Sequence, residues 1–407
     1  MRLAHEMASY MGSHGYSIYV VTTYPRKHYT SHNVYKRYSE KKGLVIERLT
    51  KNVIVIRSGK IYEIKNTLAY NLLEVFLLPL YFLIGSLKVP QCNIASTSNH
   101  PITNWFIAYF LKLIGKIKAF TVRVDDIYPD NLKMLGILRN NIVALILDLI
   151  SRLMYKRADC IIVHSRAHKK YLVTRKNVDR RKIVVVPLWA DIRRIESILR
   201  KSLSSRELYK VVKSLPEGKF KVFFGGLMSY AQGMENVVKA AYVLEKLGYR
   251  DILFVLVGKG PEKAKVTLMA KKLGLNNVIF MPMQPYEIYL FLLSSCDLCL
   301  VPLNENVKIP VIPSKLLEIM ACKKTCLVIT PPQNKALYDL VSEAQCGLIV
   351  PPDPYKIAEA IVTLYRDKNL LKNLAENGYT YAITKLSLEE CAKYYMAIHK
   401  VLTKEEL

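Results

Sequence analysis

The chain has 407 residues, 51% hydrophobic, 10% aromatic and 23% charged, a globular composition long enough for two separate cores at roughly 150 residues per domain. Its formal net charge of +27 is unevenly placed: residues 1–200 hold 33 basic against 13 acidic side chains, a balance of +20, and the remainder carries +7. The composition does not indicate disorder, and the charge directs the first half toward something anionic (nucleic acid, a membrane surface or a phosphorylated lipid), with a basic surface serving solubility alone as the bland alternative.

The opening stretch MRLAHEMASY offers no apolar core for a signal peptide. Residues 2–11 read as an amphipathic helix that passes through Gly12 and Gly15 into a first strand, YSIYVVTTY, at 16–24. A doubly wound sheet places its opening strand in the middle, and here that strand and its phosphate-facing turn are missing. Either the chain starts upstream of Met1 or this domain is unusually built. The basic stretch KHYTSHNVYKRYSEKK at 27–42 interleaves tyrosines with cations, the pattern a nucleic-acid binder would use, but no recognised binding motif accompanies it. Residues 67–87, TLAYNLLEVFLLPLYFLIGSL, approach the ~20 residues needed to span a bilayer. Glu74 and Pro79 interrupt the run, so it reads as a buried or membrane-surface helix.

Further strands are expected at 88–97, 117–125, 159–165 and 182–188, each followed by turn residues and a helical pattern. The second half repeats the plan at 220–226, 251–260, 277–282, 297–303, 325–330 and 347–352. Alternating strands and helices throughout predict an α/β protein with two parallel sheets. The domains are then 1–200, a charged linker at 201–219, a second domain at 220–384, and a closing helix, 385–407, free to pack back on the first domain. Eight cysteines sit mostly inside apolar runs, as buried free thiols do in a reducing compartment. Cys296 and Cys299 form a CxxC within a strand pattern and lack a second pair at zinc spacing.

Three motifs carry chemistry. FFGGLMSYAQG (223–233) follows a strand and precedes a helix, so Gly225 and Gly226 would let backbone N–H groups approach a phosphate, and Gly233 opens the helix. VGKGPE (257–262) offers Gly258 and Gly260 at another strand end; neither turn fits a P-loop or a GxGxxG fingerprint. In IPSKLLEIMA (312–321), Pro313 and Ser314 suit a helix start, Lys315 adds a cation there, and Glu318 lies one turn on. Phosphate plus ribose is a natural ligand for that set; a capped helix with a Lys–Glu pair is the bland reading.

These motifs, with FVLVGKGPE, VIFMP, SSCDLCLVPL and CGLIVPPDPYKIAEAI, and with SNHPITNW and DDIYPD in the first half, resemble the retaining glycosyltransferases of the group 1 (family 4) type, over nearly the whole chain. The resemblance is to the branch that builds cell-surface polysaccharides and glycolipids. It implies the GT-B fold, two Rossmann-like domains facing across a cleft, from the first of which this sequence lacks the opening strand. It also implies a nucleotide-diphosphate sugar as donor substrate, no resident cofactor or metal, and a lipid-phosphate or polysaccharide acceptor at the cytoplasmic face of an anionic membrane.

By the same resemblance Glu318 grips the ribose, while the first glutamate of the family's E-x7-E falls at Pro310, leaving backbone N–H groups near Val311 and Ile312 to hold the sugar. Ser314 and Lys315 would face the diphosphate. Gln232 stands where many relatives have a phosphate-binding lysine, with Gly225, Gly226, Gly233 and Gly258 in the turns around it, and Pro282 lies beside the base. Asp126 matches the family's aspartate and Asp125 replaces the histidine before it; His100 is the other candidate contact to sugar or acceptor. A nucleotide-sugar 2-epimerase of the same fold is the nearest alternative, and a nucleic-acid-binding protein is another.

Overall fold

The computed structural model describes residues 2–24, 38, 41, 43–59, 68–202 and 215–404, with backbone alone for residues 68–77. Most of the tyrosine-rich stretch 27–42 and of the expected linker lies outside these residues.

The first domain runs α1 (Arg2–Ser13), β1 (Ile18–Thr22), β2 (Gly43–Thr50), β3 (Val53–Gly59), α2 (Leu68–Leu87), β4 (Cys92–Ser98), α3 (Asn104–Leu113), β5 (Ile117–Arg123), α4 (Asp130–Met134), α5 (Asn141–Arg157), β6 (Cys160–Val163), α6 (Arg166–Lys176), β7 (Ile183–Val185) and α7 (Ile192–Ser202). Its strands form two sheets, β1-β3-β2 and β4-β5-β6-β7. Both are parallel except for β2, which turns back on β3 through Lys51 and Asn52 as a hairpin that the alternating pattern of 43–59 did not announce. β1 and β4 end their respective sheets, and the described residues place no strand between them. Edge position shows in burial: every residue of β1 is half-buried, whereas all four of β6 are buried.

The second domain runs β8 (Phe220–Leu227), α8 (Met234–Lys246), β9 (Ile252–Lys259), α9 (Lys263–Lys272), β10 (Val278–Met281), α10 (Tyr286–Ser295), β11 (Leu298–Pro302), α11 (Lys315–Ala321), β12 (Thr325–Ile329), α12 (Lys335–Ala344), β13 (Gly347–Val350), α13 (Pro354–Arg366), α14 (Lys368–Lys385) and α15 (Leu388–Thr403). One six-stranded parallel sheet, β10-β9-β8-β11-β12-β13, is sandwiched between helices. Its strands read as unbroken apolar runs because both faces are covered, and β9, β11 and β12 are buried almost throughout.

Two elements tie the halves together. α7 extends through Ser202, so the expected linker begins as a helix whose Ile192 and Ile195 are buried against the second domain's core with Leu215. α15 leaves that domain through a bridge between Ala190 and Ser387 and packs Leu388, Cys391 and Ala392 with Met7 of α1 and Trp189. The expected apolar helix at 67–87 forms as α2, with Pro79 inside it, and packs on β1 and β3, where Gly85 lies against Val21. Among the described residues no helix is long and apolar enough to cross a membrane. Cys296 and Cys299 are buried free thiols, and burial pushes Cys296 up to about 12.

Candidate active site

α11 is seven residues long and buries Leu316, Leu317, Ile319, Met320 and Ala321 in the second domain's core. Its two charged residues are drawn in with them. Glu318 is 7% exposed and its Oε2 accepts from the Tyr289 hydroxyl at 2.9 Å. Lys315 is partly exposed as a residue, but its Nζ is sealed from solvent, has no hydrogen-bond partner, and sits 4.0 Å from the centre of the Phe224 ring. Burial lowers the Lys315 pKa to about 7, against the opposing pull of the Glu318 charge. A buried ammonium without a hydrogen-bond partner costs several kcal/mol, a cost that an anion beside it would offset.

The glycines explain how that lysine fits. Gly226 has φ +138°, and a Cβ there would stand 3.3 Å from Lys315 Nζ, so any side chain would both strain the turn and displace the ammonium. Gly258 pairs with Gly226 across β8 and β9, and a Cβ on it would meet the Gly226 carbonyl oxygen at 2.0 Å. Gly225 leaves room for the Tyr289 ring, whose edge a Cβ would meet at 2.3 Å. Gly233 is left-handed at φ +55°, and a Cβ on it would meet the Asn304 Cα at 3.0 Å. Of the four, Gly226 borders the Lys315 ammonium directly. The other three admit protein groups that hold the turn.

Gln232 is engaged locally: its Oε1 accepts from the backbone N–H and the hydroxyl of Ser229, tying off the turn before α8. Ser314 is exposed at the start of α11 and makes no side-chain capping bond. Pro282 is exposed just past β10. The neighbouring Met281 carbonyl is taken by Lys263 Nζ at 2.7 Å, which also donates to the Gly258 carbonyl at 2.8 Å and so pins the ends of β9 and β10 together. One expectation is corrected: the Val311 N–H is not available to a sugar, because it donates to Asn334 Oδ1 at 3.2 Å while Asn334 Nδ2 returns a bond to the Val311 carbonyl.

On the first domain, β4 and β5 end beside each other and Asn99 clamps the loop that follows β5. Its Oδ1 accepts from the Asp125 N–H at 3.1 Å and its Nδ2 donates to the Asp126 carbonyl. Asp125 is consumed by structure. Arg123 donates to both of its oxygens at 2.8 and 3.0 Å, and His164 Nε2 lies 3.0 Å from Oδ1. Burial would raise the Asp125 pKa, but these partners outweigh it and hold it at about 2. Asp126 differs: burial raises its pKa, opposed by the nearby His100. His100 is exposed, its Nδ1 is 2.6 Å from the Tyr128 hydroxyl, and the two rings stack at 5.9 Å. Burial pushes Tyr128 up to about 12, keeping it a neutral donor. His100, Asp126 and Tyr128 therefore form one polar cluster.

The segment before α11 brings the two clusters toward each other. Ile309 is buried in the first domain's core, while Val311 packs against the cores of both domains, as does Met134. His168 of α6 is buried in contact with the Pro310 carbonyl, and burial lowers its pKa to about 3. Sequence reading found Lys315, Glu318, His100 and Asp126 but not Tyr289, Phe224, Asn99, Lys263 or Tyr128.

Residues 205–381 match the family model described as glycosyl transferases group 1. The Escherichia coli (strain K12) chain WcaI, by name a colanic acid biosynthesis glycosyl transferase, is 29% identical over 54% of this chain, and the match spans 52% of WcaI. Two solved structures share the fold over nearly the full length. Sucrose-phosphate synthase from Thermosynechococcus elongatus matches with TM-score 0.74 at 15% identity, over 99% of this chain and 93% of its own. Anabaena Alr3699/HepE, solved in complex with UDP and glucose, matches with TM-score 0.68 at 13% identity, over 98% and 95%. Residues 205–381 are thus similar to the glycosyl transferases of group 1, and the two α/β domains share the GT-B fold of these solved structures.

Proposed function

We propose that the chain transfers a hexosyl group from a nucleotide-diphosphate sugar to an acceptor, with retention at the anomeric carbon. The observation that carries this reading is the sealed, unbonded Lys315 ammonium beside Gly226, with Glu318 one turn on and oriented by Tyr289. Lys315 meets the charge that develops on the leaving diphosphate as the bond to the anomeric carbon breaks. Glu318 accepts hydrogen bonds from the ribose. The acceptor oxygen attacks from the face the diphosphate leaves, and a departing phosphate oxygen takes the acceptor's proton. Glycoside and nucleoside diphosphate are the two products, and the carboxylate pair of a glycoside hydrolase is not required.

In this reading His100, Asp126 and Tyr128 offer donors and acceptors to the hydroxyls of sugar or acceptor, and the apposition of the domains around Ile309–Val311 limits hydrolysis by water. The diphosphate charge is met by protein, so activity is expected to survive chelation of divalent cations. We assign the acceptor to a lipid phosphate or growing polysaccharide at the cytoplasmic membrane face. Two observations support that assignment: the +20 balance of residues 1–200 and the role in a WcaI-like polysaccharide pathway that the relative's name carries.

The test is nucleotide release measured across a panel of sugar donors with lipid-phosphate and oligosaccharide acceptors. Acceptor-dependent release with a retained linkage is the expected result. Release without acceptor accompanied by an isomerised sugar would move the assignment to an epimerase, and a chain that binds no nucleotide sugar would end it.

A further inference from the structure

The first domain wears apolar stripes on the side of its helices that faces away from the core. Of the 25 large apolar side chains exposed among the described residues, 14 fall between Leu80 and Leu153. On α2 they are Leu80, Ile84 and Leu87, and on α3 Phe106, Phe110 and Leu113, each set at helical spacing on one side. α5 continues with Ile142, Leu145, Leu149 and Leu153, of which Leu145 is 59% and Leu149 57% exposed. The same helices already bury a second face: Trp105, Ala108 and Leu111 on α3, Ala144 and Met154 on α5. Core packing therefore does not account for the outward stripes. α2 neighbours α3, and α3 neighbours α5, so the stripes adjoin.

Charge selects the occupant. Exposed cations stand at the ends of these helices: Lys88 after α2, Lys133 and Arg139 ahead of α5, Lys156 and Arg157 at its close. The one acid on α3 and α5, Asp148, is held by Lys176 and Arg152, each at 2.6 Å. An apolar field rimmed by cations, with no free acid on α3 or α5, complements an anionic lipid surface. A second copy of this chain would instead bring the same rim of cations against it, on a molecule of charge +27.

We propose that the α2–α3–α5 face is a membrane-docking surface that lies in the headgroup–acyl boundary of an anionic bilayer. It deepens the reading of a lipid-borne acceptor and rests on that reading for its purpose. One bond links the face to the candidate active site: Ser151 of α5 donates to the Tyr128 carbonyl at 3.2 Å, so the docked helix holds the loop that carries Asp126. A phosphate on a lipid in the same leaflet would then stand near the first domain's polar cluster.

The test uses the full chain and vesicles of phosphatidylcholine, alone or with about one-third phosphatidylglycerol. The chain is expected to float with the anionic vesicles and to lose most of that binding when salt is raised from about 0.1 M to about 1 M, where the Debye length falls from ~10 to ~3 Å. Leu145→Glu with Leu149→Glu should weaken binding about tenfold or more while leaving nucleotide-sugar binding in the cleft unchanged, which also confirms folding. A Leu149→Trp variant gives an independent readout, since its fluorescence should be quenched by lipids brominated in the chain. Wild-type binding to neither vesicle, equal binding by the double variant, or a concentration-dependent dimer abolished by it would each overturn the proposal. Vesicle binding with no nucleotide-sugar binding would leave docking standing and remove the transferase reading instead.

Discussion

The two domains share an architecture and differ in how completely they are closed. The second has one unbroken six-stranded parallel sheet, covered on both faces, whose strand ends converge on Lys315, Gly226 and Glu318. The first has its strands in two sheets with β1 and β4 at their edges, a half-buried β1, and a rim of cations around apolar helix faces. The second domain buries one lysine amine without a hydrogen-bond partner, an arrangement that suits the proposed anion site. The looser half surrounds its polar cluster with surface chemistry suited to a charged, bulky partner.

The largest expected effect that would sharpen this contrast is at Lys315. Lys315→Gln should lower transfer by about 10²–10³-fold yet leave the thermal midpoint unchanged or raised, because a buried unpaired ammonium is removed. A loss of both together would mean the lysine is structural, and calorimetry beside the nucleotide-release assay separates the outcomes. Next, Glu318→Gln should raise KM for the donor by about tenfold or more, and Tyr289→Phe by less, since a hydrogen bond to a charged group contributes about 1.5–3 kcal/mol. An effect of Tyr289→Phe on kcat alone would contradict its place as a positioning residue for the Glu318 carboxylate.

The first domain should respond in stability instead. Asp125 titrates at about 2 in the fold against 3.8 as its ordinary value, so its pairing contributes roughly 2 kcal/mol, less some screening for a side chain about one-third exposed. A depressed carboxyl gives stability that is present above pH ~4 and is lost as pH falls toward 2. Asp125→Asn should thus lower stability near pH 7 by about that amount and flatten the acid limb of the stability curve, with donor affinity unmoved. The smallest effect is in amide exchange: β1 and β4 should exchange faster than β8, β9 and β11, because each has one edge unpaired among the described residues. Equal protection would indicate that the first domain's sheets are closed in solution.

Much of this was legible in the sequence, for a physical reason. Strands buried on both faces must be short apolar β-branched runs, so each of the second domain's strands was visible from its pattern, and the PSKLLE helix stood out because a lysine and a glutamate interrupt a core stretch. What escaped was long-range or disguised. Tyr289 looks like any core aromatic in YEIYLFLLSS and becomes informative only when the fold brings it to Glu318. Asn99 and Lys263 act on backbone atoms of other strand ends, a pairing no local pattern encodes. The β2–β3 hairpin turns through Lys51 and Asn52 without a glycine, so the usual punctuation was missing. Backbone expected to hold a sugar at Val311 proved to be held by Asn334.

The central claim is that Lys315 receives an anion and completes its protonation in doing so. With its pKa lowered to about 7, the free protein must take up a proton to bind a donor diphosphate above that pH, so affinity should fall with rising pH, approaching tenfold per unit well above 7. A nucleotide sugar carries no titrating phosphate of its own in that range. The direct measurement is therefore isothermal titration of the preferred nucleotide sugar at pH 8 in buffers of different ionisation enthalpy. The account predicts uptake of close to one proton by the wild type and none by Lys315→Gln, which should also bind at least about tenfold more weakly. Equal affinity and equal proton exchange in the two proteins would contradict it.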